Sequence, residues 1–215
     1  ITGSTDSLQE LLGGKRAFAI VDYGATGCGI DIPGIFGDNV IYLNPDERLK
    51  CPETVAAMAR TLLEKGVDRT WTLVGIGGGI TTDITGFLAA TYMRGIGCVQ
   101  IPTSLLAMVD SAVGGKSGID LPKGKNLAGA IVRPLAVLSD LRFLSTLPPE
   151  EYTNGLGEIF KYAVLEGGEL FDRLEKPTAF AASEECISAC VRAKLRYVGA
   201  DEYDCGNVPV DLCAY

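Results

Sequence analysis

The stretch Trp71–Asp83, WTLVGIGGGITTD, decides the fold of this 215-residue chain. Its first half, Trp71–Ile76, is a short apolar run that predicts a buried strand, and three glycines follow it directly. The next segment, Thr81–Met93, has the apolar spacing of a helix. A strand that passes through glycines into a helix is typical of phosphate sites, because backbone N–H groups at a helix N-terminus attract anions. A tight turn that needs only small residues would give the same pattern.

Similar strand and helix signals lie on both sides of this stretch. The sequence predicts a helix at Pro52–Lys65, ended by Gly66, and further strands at Ala17–Asp22, Asn39–Leu43, Cys98–Pro102 and Ala136–Asp140. Strands that alternate with helices favour an α/β fold with a mainly parallel sheet. After Leu147 the character changes, because Glu150–Glu175 and Ser183–Tyr197 both have helical patterns with no strand between them. We therefore predict an α/β domain over residues 1–147 and an all-α part over residues 148–215.

Composition and charge exclude several classes of function. The net charge of −8 argues against a general nucleic-acid or membrane-surface role. No apolar run reaches the ~20 residues that cross a bilayer, and no signal segment opens the chain, so a cytoplasmic protein is expected. The chain has no histidine, which removes Ser-His-Asp chemistry and the commonest zinc ligand. Its seven cysteines contain no C-x-x-C pair, and reduced thiols are the expectation.

Basic residues are nevertheless concentrated in one region. Arg94, Lys116, Lys123 and Lys125 lie close in sequence to only two acidic residues, Asp110 and Asp120. The segment VGGKSG around Lys116 is no P-loop, because Asp110 stands where that motif needs a glycine. We interpret it as a lysine in a flexible turn, able to act as a point charge toward carboxylate or phosphate. A local basic patch on an acidic protein suits a small anionic ligand.

A second candidate pair lies in the predicted helix after Leu147. Glu158 and Lys161 are three residues apart and therefore share one face. An exposed ion pair of this kind contributes less than about 1 kcal/mol. Apolar neighbours such as Ile159 and Tyr162 instead favour a position in a cleft, where the carboxylate could bind a cation and the ammonium an oxyanion.

Four segments occur in a fixed order at close spacings. They are GGGITTDITGFLAATYMRG from Gly77, QIPTSLLAMVDSAVGGKSGIDLPKGKNLAGA from Gln100, DLRFLSTLPPEEY from Asp140 and NGLGEIFKYAVL from Asn154. Together they resemble the 3-dehydroquinate synthase family, and its fungal-type sequences most closely. The resemblance is dense from about Val74 to Leu165 and faint before Gly66. It implies a Rossmann-like NAD-binding domain followed by the start of an all-α domain, with the active site in the cleft between them.

The resemblance also implies a reaction and its cofactors. The family converts 3-deoxy-D-arabino-heptulosonate 7-phosphate into 3-dehydroquinate and phosphate in the shikimate pathway of aromatic amino acid biosynthesis. It uses NAD catalytically and a divalent metal, usually zinc, with cobalt as the alternative. The implied partners are a small anionic sugar-phosphate acid and a second copy of the chain in a homodimer, with no nucleic acid and no membrane.

The resemblance assigns roles to individual positions. The expected NAD-binding residues are Asp22, Gly78, Gly79, Ile80, Asp83, Thr103, Ser104, Phe143, Leu144, Ser145 and Thr146. The expected substrate-binding residues are Arg94, Asp110, Lys116, Lys125, Asn126, Lys161 and Lys194. Glu158 is the expected metal ligand, and the expected catalytic residues are Lys116, Lys161, Glu158 and Asp110.

The chain departs from the family pattern at the metal site, and this keeps alternatives open. The other metal ligands of the family are histidines, and this chain has none, which implies truncation at the C-terminus and an incomplete catalytic part. One alternative is another sugar-phosphate cyclase, although these typically alter the segment that is intact at Gly115–Ser117. A second is an iron- or glycerol-type dehydrogenase, whose neutral substrate would not need the clustered lysines. A third is a non-catalytic NAD-binding remnant.

Overall fold

A parallel sheet forms the centre of the protein. The computed structural model describes residues 3–27, 29–174 and 181–203. Its strands are β1 (Ala17–Asp22), β2 (Val40–Leu43), β3 (Thr72–Gly77), β4 (Gly97–Pro102), β5 (Lys116–Leu121), β6 (Gly124–Ile131) and β7 (Ala136–Val137). Five of them form one sheet in the order β2-β1-β3-β4-β7, and every pairing in it is parallel. This confirms the predicted α/β class with a mainly parallel sheet.

Helices connect the strands and cover both faces of the sheet. They are α1 (Leu8–Leu12), α2 (Ile32–Phe36), α3 (Pro52–Glu64), α4 (Gly79–Thr91), α5 (Pro149–Glu166), α6 (Gly168–Arg173) and α7 (Glu184–Ala200). Along β1, Phe18 and Ile20 belong to one apolar core, whereas Ala19 and Val21 belong to the other. This alternation follows from the two-residue period of a strand, and both faces are apolar because both are covered. No helix in the described part of the chain has the length and apolarity needed to cross a membrane.

Most predicted elements occur within two residues of their predicted bounds. The strand at Ala17–Asp22 has the predicted limits, and the helix predicted over Thr81–Met93 is α4, which already begins at Gly79. The last parallel strand is shorter than predicted, because β7 ends at Val137. Asp140, which was placed at its end, instead caps a 3₁₀ helix by accepting from the backbone N–H of Arg142.

The predicted flexible turn around Lys116 is wrong. Lys116 begins β5, which pairs antiparallel with β6 in a separate two-stranded sheet. The segment contains many glycines and lysines, which are depleted in strands, so its sequence gives no strand signal. The hairpin is held by tertiary packing, since a Cβ on Gly86 of α4 would lie only 2.8 Å from the Cβ of Ser117. Lys116 is therefore carried by a strand that packs on α4.

The helical part begins at Pro149, and it is interrupted where the sequence predicted one helix. The predicted helix Glu150–Glu175 is divided into α5 and α6 at Gly167, which has φ 63°. Glu175 lies outside the described residues. The next predicted helix, Ser183–Tyr197, is α7, and the Ser183 side chain caps it by accepting from the N–H of Cys186. Four cysteines, Cys51, Cys98, Cys186 and Cys190, are free thiols, as expected.

Candidate functional site

The carboxyl ends of the parallel strands open into one cavity of about 1380 Å³. Its lining combines strand ends such as Asp22, the N-terminus of α4, the hairpin of β5 and β6, and helices α5 and α7. In open α/β sheets, ligands bind outside the carboxyl ends of the strands. The fold thus places this cavity at the position where a ligand is expected.

Gly78 and Gly79 form the part of the cavity wall next to β3. Gly78 is the N-cap of α4 and has extended backbone (φ −75°, ψ −167°), which any residue can adopt. A Cβ on Gly78 would lie 3.5 Å from Ser104 Oγ, and one on Gly79 would lie 3.3 Å from Ser111 Oγ. The wall is therefore backbone, and the first N–H groups of α4 lack intrahelical acceptors. A dinucleotide pyrophosphate fits such a cradle, because helix N-termini bind phosphate.

Asp83 lies one turn further along α4 and is paired with a buried lysine. Lys50 Nζ donates to Asp83 Oδ2 at 2.8 Å and to Asn126 Oδ1 at 2.7 Å, and only 6% of its side chain is exposed. Burial raises the pKa of Asp83, and the charge and hydrogen bond of Lys50 act in the opposite direction. Asn126 stands in β6 with φ 53°, so this lysine joins three segments at one end of the cavity.

Asp110 is the centre of a second charged cluster. It lies in a π-helical segment, Ala107–Ser111, and Lys194 of α7 donates to its Oδ1 at 3.0 Å and to its backbone oxygen at 2.6 Å. Lys161 Nζ lies 3.5 Å from the same Oδ1. Burial would raise the pKa of Asp110, but the two ammonium groups and the hydroxyl of Tyr162 outweigh it and lower the pKa. Asp110 is therefore ionised at neutral pH.

Lys161 joins this cluster to the predicted metal ligand. Its ammonium pairs with Glu158 on the preceding turn of α5. Burial lowers the pKa of Lys161, but Asp110 and Glu158 together raise it above its ordinary value. Lys161 thus carries its positive charge in the cavity.

The described residues fit a metal ion poorly. Glu158 lines the cavity and offers one carboxylate. Within residues 3–27, 29–174 and 181–203 there is no group of three histidine, cysteine, aspartate or glutamate side chains that could hold a metal. One carboxylate alone does not make a transition-metal site, which takes at least three protein ligands.

Most of the residues assigned by the resemblance come together in the cavity. Besides those already described, the lining includes Asp22, Ile80, Thr103, Ser104, Lys116, Lys125, Phe143 and Thr146. Arg94, Leu144 and Ser145 are not part of it. Arg94 is exposed and has φ 68° just after α4.

Sequence reasoning missed two residues of the site. Lys50 is an isolated lysine before α3, and only the fold brings it to Asp83 and Asn126. Tyr162 belongs to a motif that was singled out, but the ring was interpreted as an apolar neighbour of Lys161. The structure gives it a polar role, since its hydroxyl donates to Asp110 Oδ1 at 2.5 Å.

Comparison with protein families gives two adjacent matches that together cover residues 40–209. Residues 40–154 match the model of the 3-dehydroquinate synthase N-terminal domain, and residues 155–209 match that of the C-terminal domain. A 3-dehydroquinate synthase of Solibacter usitatus is 46% identical over 169 residues, which cover 76% of this chain and 47% of that protein. The 3-dehydroquinate synthase of Halorhodospira halophila is 41% identical over 178 residues, which cover 78% of this chain and 49% of that protein. The pentafunctional AROM polypeptide of Scheffersomyces stipitis is 42% identical over 180 residues, which cover 76% of this chain and 12% of that much longer protein.

Solved structures give the same fold. A 2-deoxy-scyllo-inosose synthase is 26% identical and superimposes with a TM-score of 0.80, covering 95% of this chain and 61% of that one. A structure of 2-deoxy-scyllo-inosose synthase complexed with carbaglucose-6-phosphate, NAD+ and Co2+ also has a TM-score of 0.80, at 24% identity and with the same coverage. An iron-containing alcohol dehydrogenase is less similar, with a TM-score of 0.65 and 16% identity; the match covers 90% of this chain and 63% of that one. These likenesses show that the chain has the same α/β fold as those proteins.

The match covers only part of the length of each relative. The chain spans about half the length of the curated bacterial relatives that it matches. The family model for the N-terminal domain nevertheless covers more than half of the chain, and the bacterial and fungal relatives agree with it. The chain belongs to the 3-dehydroquinate synthase family.

Proposed function

We propose that this chain is the NAD-binding part, and the beginning of the catalytic part, of a 3-dehydroquinate synthase. The reaction is conversion of 3-deoxy-D-arabino-heptulosonate 7-phosphate to 3-dehydroquinate and phosphate in aromatic amino acid biosynthesis. One observation carries the proposal: a glycine-walled helix N-terminus and several lysines line the same cavity in a protein of net charge −8. This combination suits a dinucleotide together with a multiply charged anion, because each needs preorganised positive groups.

The nucleotide end of the cavity would hold NAD. We assign the pyrophosphate to the N–H groups of Gly78 and Gly79, and the ribose hydroxyls to Asp83, which Lys50 holds in place at 2.8 Å. Thr103 and Ser104 offer hydroxyls on the same wall. When bound, NAD supplies reversible hydride transfer, so that a substrate hydroxyl can be oxidised and later restored without net consumption.

The lysine cluster would hold the substrate. Lys116, Lys161 and Lys194 reach the cavity from β5, α5 and α7, and Lys125 reaches it from β6. Several ammonium groups offset the desolvation of a phosphate and a carboxylate, which a single lysine could not do. Asp110 would accept a hydrogen bond from a substrate hydroxyl, since its carboxylate is ionised and lines the same cavity.

A metal is expected from the family, and Glu158 is the residue we propose as its ligand. The described residues hold no complete ligand set, so we derive no step through the metal. Zinc or cobalt binding is therefore a proposal that concerns the whole enzyme.

Further proposals concern the organisation of the protein. We propose that the α/β domain ends at Leu147 and that residues 148–215 begin the all-α domain. We also propose that the enzyme works in the cytoplasm as a homodimer. Sedimentation of the purified chain, with a mass of 22.7 kDa as the monomer reference, tests the last point.

A calorimetric titration with paired ligands tests the proposed function. With NAD at saturation, we expect carbaglucose-6-phosphate to bind and the unphosphorylated carbaglucose to bind at least tenfold more weakly. The double variant K161A/K194A should lose the phosphorylated ligand and keep NAD, because the two lysines stand on α5 and α7, whereas Gly78 and Gly79 lie where β3 ends and α4 begins. Equal affinity for both polyols would contradict the proposal and favour a dehydrogenase of neutral polyols.

A further inference from the structure

Tyr162 is a buried polar residue that the proposed function leaves without a role. Its side chain is 1% exposed, so its hydroxyl cannot rely on bulk water for a hydrogen-bond partner. The hydroxyl donates to Asp110 Oδ1 at 2.5 Å, across 52 residues of sequence. A phenylalanine would fill the same apolar space, so packing alone does not account for a tyrosine at this position.

The hydrogen bonds at Asp110 are distributed unevenly between its two carboxylate oxygens. Tyr162 and Lys194 both donate to Oδ1, and Lys161 is nearest to that oxygen as well. Every hydrogen bond that the described residues make to this carboxylate ends on Oδ1. The Asp110 side chain still has 22% of its surface exposed and lines the cavity. Oδ2 is therefore the oxygen that remains for a ligand.

Tyr162 is better suited than the lysines to fix this orientation. A lysine is a point charge on a flexible stem and attracts either carboxylate oxygen. A tyrosine hydroxyl is carried by a rigid ring with few rotatable bonds. Its helix is held against the segment that carries Asp110, because a Cβ on Gly155 of α5 would lie 2.6 Å from the Cβ of Leu105.

The same ring also supports the second charged group. Lys161 Nζ lies 4.8 Å from the centroid of the Tyr162 ring, within the range of a cation–π contact. One side chain thus contacts both the carboxylate and the ammonium that line the cavity. Two further titratable groups, Glu158 on α5 and Cys190 on α7, act on Tyr162 through charge, and Asp110 acts in the same way on Cys190.

We propose that Tyr162 is a positioning residue: its hydroxyl holds Oδ1 of Asp110 so that Oδ2 is presented to a hydroxyl group of a bound polyol phosphate. The ligand in this statement rests on the proposed function, whereas the orientation of Asp110 does not. Inorganic phosphate lacks the carbon-bound hydroxyl groups of a polyol, which are the groups proposed to donate to Oδ2. Loss of the Tyr162 hydroxyl should therefore affect polyol phosphates selectively.

The first experiment measures how firmly the Tyr162 hydroxyl holds the Asp110 side chain. The χ1 couplings of Asp110, obtained by NMR of the labelled chain, should report one rotamer in the wild type and averaging in Y162F. The matched control is Y92F, which removes another buried hydroxyl, one that donates to the Val67 carbonyl at 2.8 Å and does not line the cavity. An Asp110 side chain that stays in one rotamer in Y162F would overturn the proposal, whatever the protein binds.

The second experiment is a double-mutant cycle with carbaglucose-6-phosphate as the probe. Y162F and D110N should each weaken its binding by about tenfold, as expected for a hydrogen bond to a charged group, and the double variant should be no weaker than D110N. Binding of inorganic phosphate should stay unchanged in Y162F. Additive losses, or equal losses for both ligands, would contradict the positioning role. A wild type that binds neither ligand would refute the proposed function and leave the rotamer measurement as the test.

A third measurement covers the case in which Y162F does not fold. In the wild type, the Tyr162 hydroxyl proton should exchange slowly with water and appear downfield, because it is buried and donates to a carboxylate. Its resonance should shift in D110N and not in Y92F. A hydroxyl proton that is insensitive to D110N would overturn the proposal.

Discussion

Lys50 shows how a single residue can stabilise a site that its sequence context does not reveal. It lies in a loop before α3, is 5% exposed, and bridges Asp83 of α4 to Asn126 of β6. Removing one partner of a buried ion pair leaves the other charge unpaired in a poorly solvated place. The ion pair between Lys50 and Asp83 therefore affects stability mainly because breaking it leaves a buried charge without a partner.

We expect K50M to destabilise the protein by about 3 kcal/mol, measured as the free energy of unfolding in urea. The matched control is K125M. Lys125 pairs with Glu47 at 3.3 Å but is 74% exposed, and such surface pairs contribute about 0–1 kcal/mol. The double variant K50M/D83N should be milder than K50M, because no charge is then left unpaired. Equal decreases in the free energy of unfolding in K50M and K125M would contradict this account.

Asp140 should make the protein less stable at low pH than at neutral pH. Burial raises its pKa, but hydrogen bonds from Arg142 and Thr5 outweigh this and lower the pKa to about 2. A carboxylate with a lowered pKa contributes stability that is present above its unfolded pKa of about 4. That stability is lost as the pH falls toward 2.

We expect thermal unfolding of the wild type to show this loss between about pH 4 and pH 2. The variant D140N should be less stable at pH 7 and should lack that part of the pH dependence. D31N is the control, because Asp31 caps the short helix α2 at an exposed position. A wild-type unfolding temperature that does not change over this pH range, or that changes in parallel with that of D140N, would show that Asp140 does not cause the pH dependence.

At the scale of elements, α5 is positioned by a glycine. A Cβ on Gly155 would lie 2.6 Å from Leu105 Cβ and 2.8 Å from the backbone nitrogen of Leu106, so the helix approaches this segment more closely than any other residue would allow. The contact places Lys161 and Tyr162 beside Asp110. Gly157, two residues later, has open space around it.

We expect opposite effects from the same substitution at these two positions. Alanine is about 1 kcal/mol better than glycine inside a helix, so G157A should raise the free energy of unfolding by about 0.5–1 kcal/mol. G155A should lower it by about 1–3 kcal/mol, because the methyl group overpacks the interface with Leu105. Chemical denaturation of the two variants under one condition measures both effects. A stabilised G155A would show that α5 does not pack as described.

Buried strands leave a local signal in the sequence, whereas the hairpin of β5 and β6 and the break at Gly167 do not. Local apolar runs predict strands at Ala17–Asp22 and Trp71–Ile76, and the structure has β1 and β3 there, since burial on both faces leaves a strong signal. The hairpin of β5 and β6 was missed, because its glycines and lysines have low strand propensity and packing on α4 overrides it. The break at Gly167 was missed because Gly167-Gly168 resembles a tolerated interruption, whereas both residues have positive φ.

At the scale of the whole molecule, the fold brings several lysines and carboxylates together in one cavity of an acidic protein. Residues from Asp22 to Lys194 converge at the carboxyl ends of the strands, and most were assigned from the family resemblance. Lys50 and the hydroxyl of Tyr162 were found only in the structure, because their partners are 33 and 52 residues away. Long-range contacts of this kind leave no local pattern. Arg94, which the resemblance also assigned, lies on the exposed surface.

Calorimetric titration of NAD against the wild type and G78A tests most directly whether the wall formed by Gly78 and Gly79 binds the pyrophosphate of NAD. Alanine suits the backbone of Gly78, and its methyl group would meet Ser104 at an ordinary distance of 3.5 Å, so G78A should unfold at the wild-type temperature. The methyl group would occupy the space of the pyrophosphate, and we expect NAD to bind about tenfold or more weakly, since such a clash costs about 1–3 kcal/mol. Equal NAD affinity in the two proteins would contradict the account.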